Sequence, residues 1–155
     1  MNALYTVLGK LRTIYCWVFR PVTLGVKALV LDSKGHVLLV EHSYKSGWYL
    51  PGGGVDRGET ALDAVQRELR EEVGMRCEAM PELANGLFYN RLDFKNDHIA
   101  LFIVRDWSYL EGQKASPEIA RFGFFDPKNL PPGTTAASKR KIEECLNNTI
   151  SPFHW

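Results

Sequence analysis

Between Val22 and Glu41 the chain runs apolar, polar, apolar: VTLGVKALVL, then Asp32-Ser33-Lys34-Gly35, then VLLVE. Two apolar runs around a turn signal predict a hairpin of two long strands. A short strand at Trp48–Leu50 leads into the turn Pro51-Gly52-Gly53-Gly54, after which the period changes. From Ala61 to about Val73, Leu62, Val65, Leu69 and Val73 recur at offsets of three, four and four, the stripe of a helix. Strands are expected around Leu87–Leu92 and Ile99–Arg105, flanking a polar loop Asp93–His98, with a last strand at Phe122–Phe125. Thr135–Asn147 predicts a closing helix with Ile142, Cys145 and Leu146 turned inward. No repeat or low-complexity tract interrupts this order, so the pattern predicts an α/β fold with a mixed β-sheet between helices.

Ahead of the sheet, Leu4, Val7, Leu8, Leu11, Ile14, Tyr15 and Val18 recur at helical spacing, with Lys10, Arg12 and Arg20 off the stripe. Residues 1–20 therefore predict an extra N-terminal amphipathic helix, ending near Pro21, ahead of a single domain over residues 21–155. Lys10 and Arg12 interrupt the apolar stretch, which does not suit a signal peptide, and the stretch is too short and charged to span a bilayer. The expectation is a helix packed on the domain or on a second subunit of a homodimer, with contact to a membrane surface as the alternative.

The helix after the glycine turn carries the chemistry. Glu68, Glu71 and Glu72 fall within about a 100° arc beside the apolar stripe. Like charges three and four residues apart repel by a few tenths of a kcal/mol per pair. A solvated acidic face, with Arg67 pairing Glu71 one turn on, would account for that much. A hard divalent cation is the other compensation, because Mg²⁺ and Mn²⁺ take carboxylate and phosphate oxygens. Thr60, followed three residues later by Asp63, reads as a capping box, and Gly74 suits a left-handed helix stop.

The full spacing decides between these readings. Gly53, five residues, Glu59, seven residues, then Arg67-Glu68-Leu69-Arg70-Glu71-Glu72-Val73-Gly74-Met75 matches every fixed position of the Nudix box. WYLPGG at Trp48–Gly53 supplies the lead-in common in that superfamily. The chain therefore resembles the MutT-like Nudix hydrolases over these segments. The resemblance implies an α/β/α sandwich and Mg²⁺- or Mn²⁺-dependent cleavage of a diphosphate linkage in a nucleoside diphosphate derivative, by in-line attack of water at phosphorus.

Carried over by position, the resemblance makes Glu68, Glu71 and Glu72 metal ligands, joined by the backbone carbonyl of Gly52, with Glu68 also a candidate general base. Glu59 and Arg67 then orient those ligands. Members of the superfamily often recruit a further carboxylate from a loop beyond the box. Glu118, just before the Phe122–Phe125 strand, holds the most comparable place, both as ligand and as base, and Asp97 beside His98 is its rival.

Substrate contacts are less determined. Tyr44 and Phe94, in predicted loops, are candidates for stacking on a base, and Arg91, Lys95 and Arg121 for phosphate or ribose. The signatures associated with NADH-cleaving and coenzyme A-cleaving members are absent, as is the proline beyond the box common in ADP-ribose-cleaving members.

Composition bounds the partners. With 155 residues, 45% hydrophobic content and a formal net charge of +1, the chain can bury a core of its own and shows no electrostatic footprint for duplex nucleic acid. Cys16, Cys77 and Cys145 are odd in number and without C-x-x-C spacing, which suits free thiols in a reducing, cytoplasmic setting. The expected partner is a small nucleotide-type diphosphate. Two alternatives stand: a nucleotide-binding regulator that has lost hydrolysis, and an enzyme acting on the 5′ end of RNA.

Overall fold

The first strand is apolar on both faces, and that decides its neighbours. β1 (Val22–Val30) turns Val26, Ala28 and Val30 to one side and Leu29 to the other, all at or near zero exposure. A strand buried on both faces needs cover above and below it and a partner on its edge. The structure, a computed structural model, describes residue 14 and residues 22–90, 96–149, 151, 154 and 155. The expected N-terminal helix falls on residues 1–20, which apart from residue 14 lie outside the described residues, as do Arg91, Phe94 and Lys95.

The described elements follow in the order β1, β2 (Val37–His42), β3 (Trp48–Tyr49), α1 (Ala61–Val73), β4 (Met75–Cys77), β5 (Glu82–Asn90), β6 (Asn96–Val104), β7 (Trp107–Tyr109), β8 (Ile119–Phe125) and α2 (Ala136–Leu146). β1 pairs in parallel with β6 from Val22↔Asn96 to Val30↔Val104, and β6 pairs antiparallel with β5, so the sheet is mixed. A second sheet has the order β3-β2-β8, and β4 pairs with β7.

The expected β1–β2 hairpin is corrected by this pairing. The turn forms as its chemistry dictates: Gly35 has φ 79°, and Asp32 Oδ1 accepts from the Lys34 and His36 amides at 2.8 Å. Beyond the single bridge Leu31↔Val37, however, the two strands join different ladders. The polar loop expected at Asp93–His98 is likewise corrected at its end, since Asn96, Asp97 and His98 belong to β6.

Two apolar layers fill the space around the sheets. Val65, Leu69 and Val73 of α1 pack with Val26, Val30, Leu38, Val40 and Phe102 on one side. Ile142 of α2 packs with Leu29, Leu39, Leu50, Phe88 and Leu101 on the other. This is the expected sandwich, helix over sheet over helix. Of the three α2 residues expected inward, Ile142 is fully buried, Cys145 is half-buried, and Leu146 at 47% exposure is a correction, because it sits in the last turn.

Candidate active site

α1 is held at both ends by its own sequence. Thr60 accepts from the Asp63 amide at 3.1 Å while Asp63 accepts from the Thr60 amide at 3.2 Å, a reciprocal capping box. Gly74 at φ 67° and ψ 32° stops the helix in the left-handed region, its N–H reaching the Arg70 carbonyl at 3.1 Å. With the ends pinned and Val65, Leu69 and Val73 buried, the glutamates have a fixed direction.

That direction is toward the glycine turn. The turn lies along the free edge of β1, with Val26 N–H donating to the Gly53 carbonyl at 2.8 Å and Ala28 N–H to that of Pro51 at 2.9 Å. Gly52 has φ 126°, and a Cβ there would strike the Val26 carbonyl. A Cβ on Gly53 would run into the Glu68 carboxylate, so any other residue there would have to displace that side chain. The Gly52 N–H donates to Glu72 Oε2 at 2.8 Å and closes the gap.

Arg67 organises the other carboxylates. Its Nε donates to Glu59 Oε1 at 2.8 Å, its Nη2 to Glu59 Oε2 at 3.0 Å and the Gly54 carbonyl at 2.9 Å, and its Nη1 to Glu68 Oε1 at 2.8 Å and Glu71 Oε2 at 3.4 Å. The guanidinium holds the Glu59 carboxyl down to about 2, and its own pKa rises in return. Glu72 behaves in the opposite sense. Burial pushes its carboxyl up to about 7 against the opposing pull of Lys27 and the Gly52 N–H, and the neighbouring Glu68 charge adds to the rise.

Glu68, Glu71, Glu72, Gly52, Gly53, Ser116 and Glu118 line one cavity of about 400 Å³, together with His42, Tyr44 and Lys45. Glu118 arrives from the segment before β8, where the Ser43 N–H donates to its carbonyl at 2.8 Å. The four carboxylates and the Gly52 carbonyl offer oxygens, the set a hard cation prefers. The carboxylates are not drawn around a common point: among the described residues no three His, Cys, Asp or Glu side chains stand close enough together to hold an ion as they are. The donor chemistry fits Mg²⁺ or Mn²⁺.

A family model for the NUDIX domain matches residues 21–145. The chain belongs to the Nudix family. The RNA pyrophosphohydrolase of Ruthia magnifica subsp. Calyptogena magnifica is 40% identical over 75 residues, covering 48% of this chain and 42% of that protein. The human 8-oxo-dGDP phosphatase is 38% identical over 72 residues, covering 44% of this chain and 20% of that protein. The chain thus spans less than half the length of these relatives. Among solved structures, the MutT NUDIX hydrolase of Burkholderia pseudomallei superposes with a TM-score of 0.67 at 25% identity, over 79% of this chain and 97% of that one.

Of the other candidate residues of the Nudix chain, some line the cavity and others do not. Tyr44 lines the cavity and is 66% exposed. Asp97 does not line it. Its two oxygens accept from Thr23 Oγ1 at 2.7 Å and Asn90 Nδ2 at 3.0 Å, which ties β1, β5 and β6 together. Arg121 is engaged by Glu41 at 2.6 Å and lies over the Trp48 ring at 5.3 Å.

Lys45 and Ser116 of the lining escaped the sequence reading, as did Lys27 and His42. Lys27 Nζ donates to the Gly52 carbonyl at 2.6 Å and the Leu50 carbonyl at 2.9 Å, so it grips the glycine turn from below, and burial lowers its pKa to about 8. A lysine within an otherwise apolar strand was the available signal, since a buried ammonium needs partners. His42 ends β2 and is 7% exposed, and neither ring nitrogen has a hydrogen-bond partner.

Proposed function

We propose that the chain is a pyrophosphohydrolase that cuts a diphosphate linkage in a nucleoside diphosphate derivative with Mg²⁺ or Mn²⁺. One observation carries the reading: Glu68, Glu71, Glu72 and Glu118 line a single cavity beside a turn that only glycine can form. Three carboxylates on one helical turn repel, and a binding module gains nothing from that arrangement. The Gly52 carbonyl and the four carboxylates would hold the cation, which when bound supplies Lewis-acid stabilisation of phosphoryl oxygens and acidifies water.

The chain's own residues do the rest. Arg67 fixes the Glu68 carboxylate through Oε1, and Glu59 in turn fixes Arg67. Lys27 and Glu72 hold the two sides of the Gly52 peptide, its carbonyl and its N–H. Glu68 and Glu118 are the two candidates to accept the proton of the attacking water, and turnover of Glu68→Gln and Glu118→Gln separates them.

Nucleoside triphosphates, dinucleoside polyphosphates, nucleotide sugars, ADP-ribose and triphosphorylated RNA, each offered with Mg²⁺ and with Mn²⁺, test the reading. The expected result is metal-dependent release of phosphate, pyrophosphate or a nucleoside monophosphate from at least one class, stopped by chelation. Tight nucleotide binding without turnover on any of them would overturn it. A second reading, action on the 5′ end of RNA, is favoured by the resemblance to the Ruthia RNA pyrophosphohydrolase. It uses the same linkage chemistry and needs a grip on one terminal nucleotide only, which suits the near-neutral charge.

A further inference from the structure

Beside its carboxylates, the cavity is lined by groups of opposite character. β2 pairs with β8 through Glu41↔Arg121, and the register then shifts so that His42 stands opposite Ile119. A bulge of this kind re-aims the residue at the strand end. His42 packs against the Tyr44 ring, centroids 5.1 Å apart, and the Tyr49 ring at 5.6 Å, and His42 and Tyr44 line the cavity that the glutamates line.

Its two nitrogens are buried and unpartnered, although a buried polar atom without a hydrogen bond is costly. Beside it, Lys45 Nζ rests 4.0 Å from the Tyr49 ring centroid and 5.9 Å from that of Tyr44, and makes no ion pair among the described residues. Tyr44, whose ring packs on the imidazole, is itself two-thirds exposed, and an anion reaches the imidazole nitrogens only if that ring swings aside. One cavity therefore holds four carboxylates together with a lysine and an unsatisfied imidazole.

We propose that His42, Tyr44 and Lys45 form an anion subsite that takes those phosphoryl oxygens of the substrate diphosphate that the carboxylates and their cation do not hold. The proposal rests on the diphosphate reading of the cavity and extends it to a second point of grip. Lys45 supplies the charge, the His42 N–H and the Tyr44 hydroxyl supply directed donors, and the ligand oxygen satisfies the nitrogen that the fold leaves bare. Burial, with Lys45 and Lys27 nearby, lowers the His42 pKa to about 4, so the ring is neutral and offers one donor and one acceptor.

Methylenediphosphonate, a diphosphate mimic with no cleavable P–O–P bond, is the probe, used with Mg²⁺ on the full chain. Calorimetry measures its affinity, and ¹⁵N-histidine NMR follows the ring nitrogens, with the His42→Gln variant assigning the His42 signals among the four histidines. The expected result is a shift of the His42 nitrogens on saturation, and an affinity about tenfold weaker in Lys45→Gln, the loss of one charge-assisted contact. Lys45 is exposed, so its replacement leaves the fold in place. No binding at millimolar probe, saturation without movement of the His42 signals, or equal affinity in Lys45→Gln would each overturn the subsite. Binding with the expected shifts, alongside no turnover on the substrate panel, would uphold the subsite and remove the hydrolase reading instead.

Discussion

Arg67 and Glu59 are joined by two parallel hydrogen bonds, Nε to Oε1 at 2.8 Å and Nη2 to Oε2 at 3.0 Å, across the loop that enters α1. The fork leaves Nη1 for Glu68, so Glu59, eight residues before Arg67, sets the rotamer from which Glu68 is held. Arginine suits this place because its planar fork can serve Glu59 with two donors and still reach Glu68 and the Gly54 carbonyl.

Breaking that fork lowers turnover while the fold survives. Arg67→Lys keeps the charge and loses the geometry, and Glu59→Gln keeps the shape and loses the charge. Each is expected to reduce kcat or metal affinity by roughly 10–100-fold, the usual cost of removing a residue that orients metal ligands. Steady-state rates across a Mg²⁺ titration, read beside far-UV circular dichroism, check this. A variant with native rates at every metal concentration removes the orienting role.

Glu71→Gln and Glu72→Gln are expected to lose orders of magnitude in kcat with the fold intact, because each removes a carboxylate from the cavity wall. Turnover at saturating Mg²⁺ measures the loss, and full activity in either variant sinks the proposed mechanism.

Glu72 also carries a pH signature in the metal-free protein. Its folded pKa of about 7 lies above the ordinary 4.5, so the folded state holds this proton more tightly than the unfolded chain. The stability from this group is fully present below about pH 4.5 and is lost as pH rises through 7. Glu72→Gln, which mimics the protonated form, is therefore expected to melt above the wild type at pH 8 in the presence of chelator and to match it near pH 4.5. Thermal melts at the two pH values decide it, and an equal or lower melting temperature at pH 8 contradicts the burial of an ionised Glu72.

What could be read from the chain alone tracks how local its cause is. The box helix ends where Thr60, Asp63 and Gly74 place it, because capping is settled within four residues. The three glutamates share a face for the same reason, a fixed rise and turn per residue. Pairing is different. β1 joins β6 some seventy residues on, and nothing in VTLGVKALVL names that partner, so the adjacent apolar run at Val37 looked equally suitable. Lys27 and His42 went unnoticed on the same ground. Their roles exist only once β1 lies along the glycine turn and the bulge after Glu41 turns His42 into the cavity. Asp97 marks the converse case, a carboxylate in a suggestive place whose oxygens are spent holding three strands together.

The cap can be weighed by itself. Thr60→Ala removes the side-chain acceptor of the Asp63 amide and half of the capping box. The expected loss of stability is about 1 kcal/mol, read from a urea or thermal melt. An unchanged melt would mean that packing of Val65, Leu69 and Val73 alone sets the position of α1.

The glycine turn gives the sharpest comparison. Neither Gly53 nor Gly54 has a positive φ, so alanine strains the backbone at neither position. Their surroundings differ completely: a Cβ on Gly53 meets the Glu68 carboxylate, and one on Gly54 meets nothing within 4 Å. Gly53→Ala must therefore displace the Glu68 side chain from Arg67 or push the turn away from α1. It is expected to cost at least about tenfold in kcat, since an ångström of misplacement in a positioned group is felt at that level. Gly54→Ala is expected to fold and melt as the wild type does, its carbonyl still accepting from Arg67 Nη2. Parallel rate and melting measurements on the two variants check the pair. Native turnover in Gly53→Ala would show that the close approach of turn and glutamate is a packing feature and that Glu68 acts from another position.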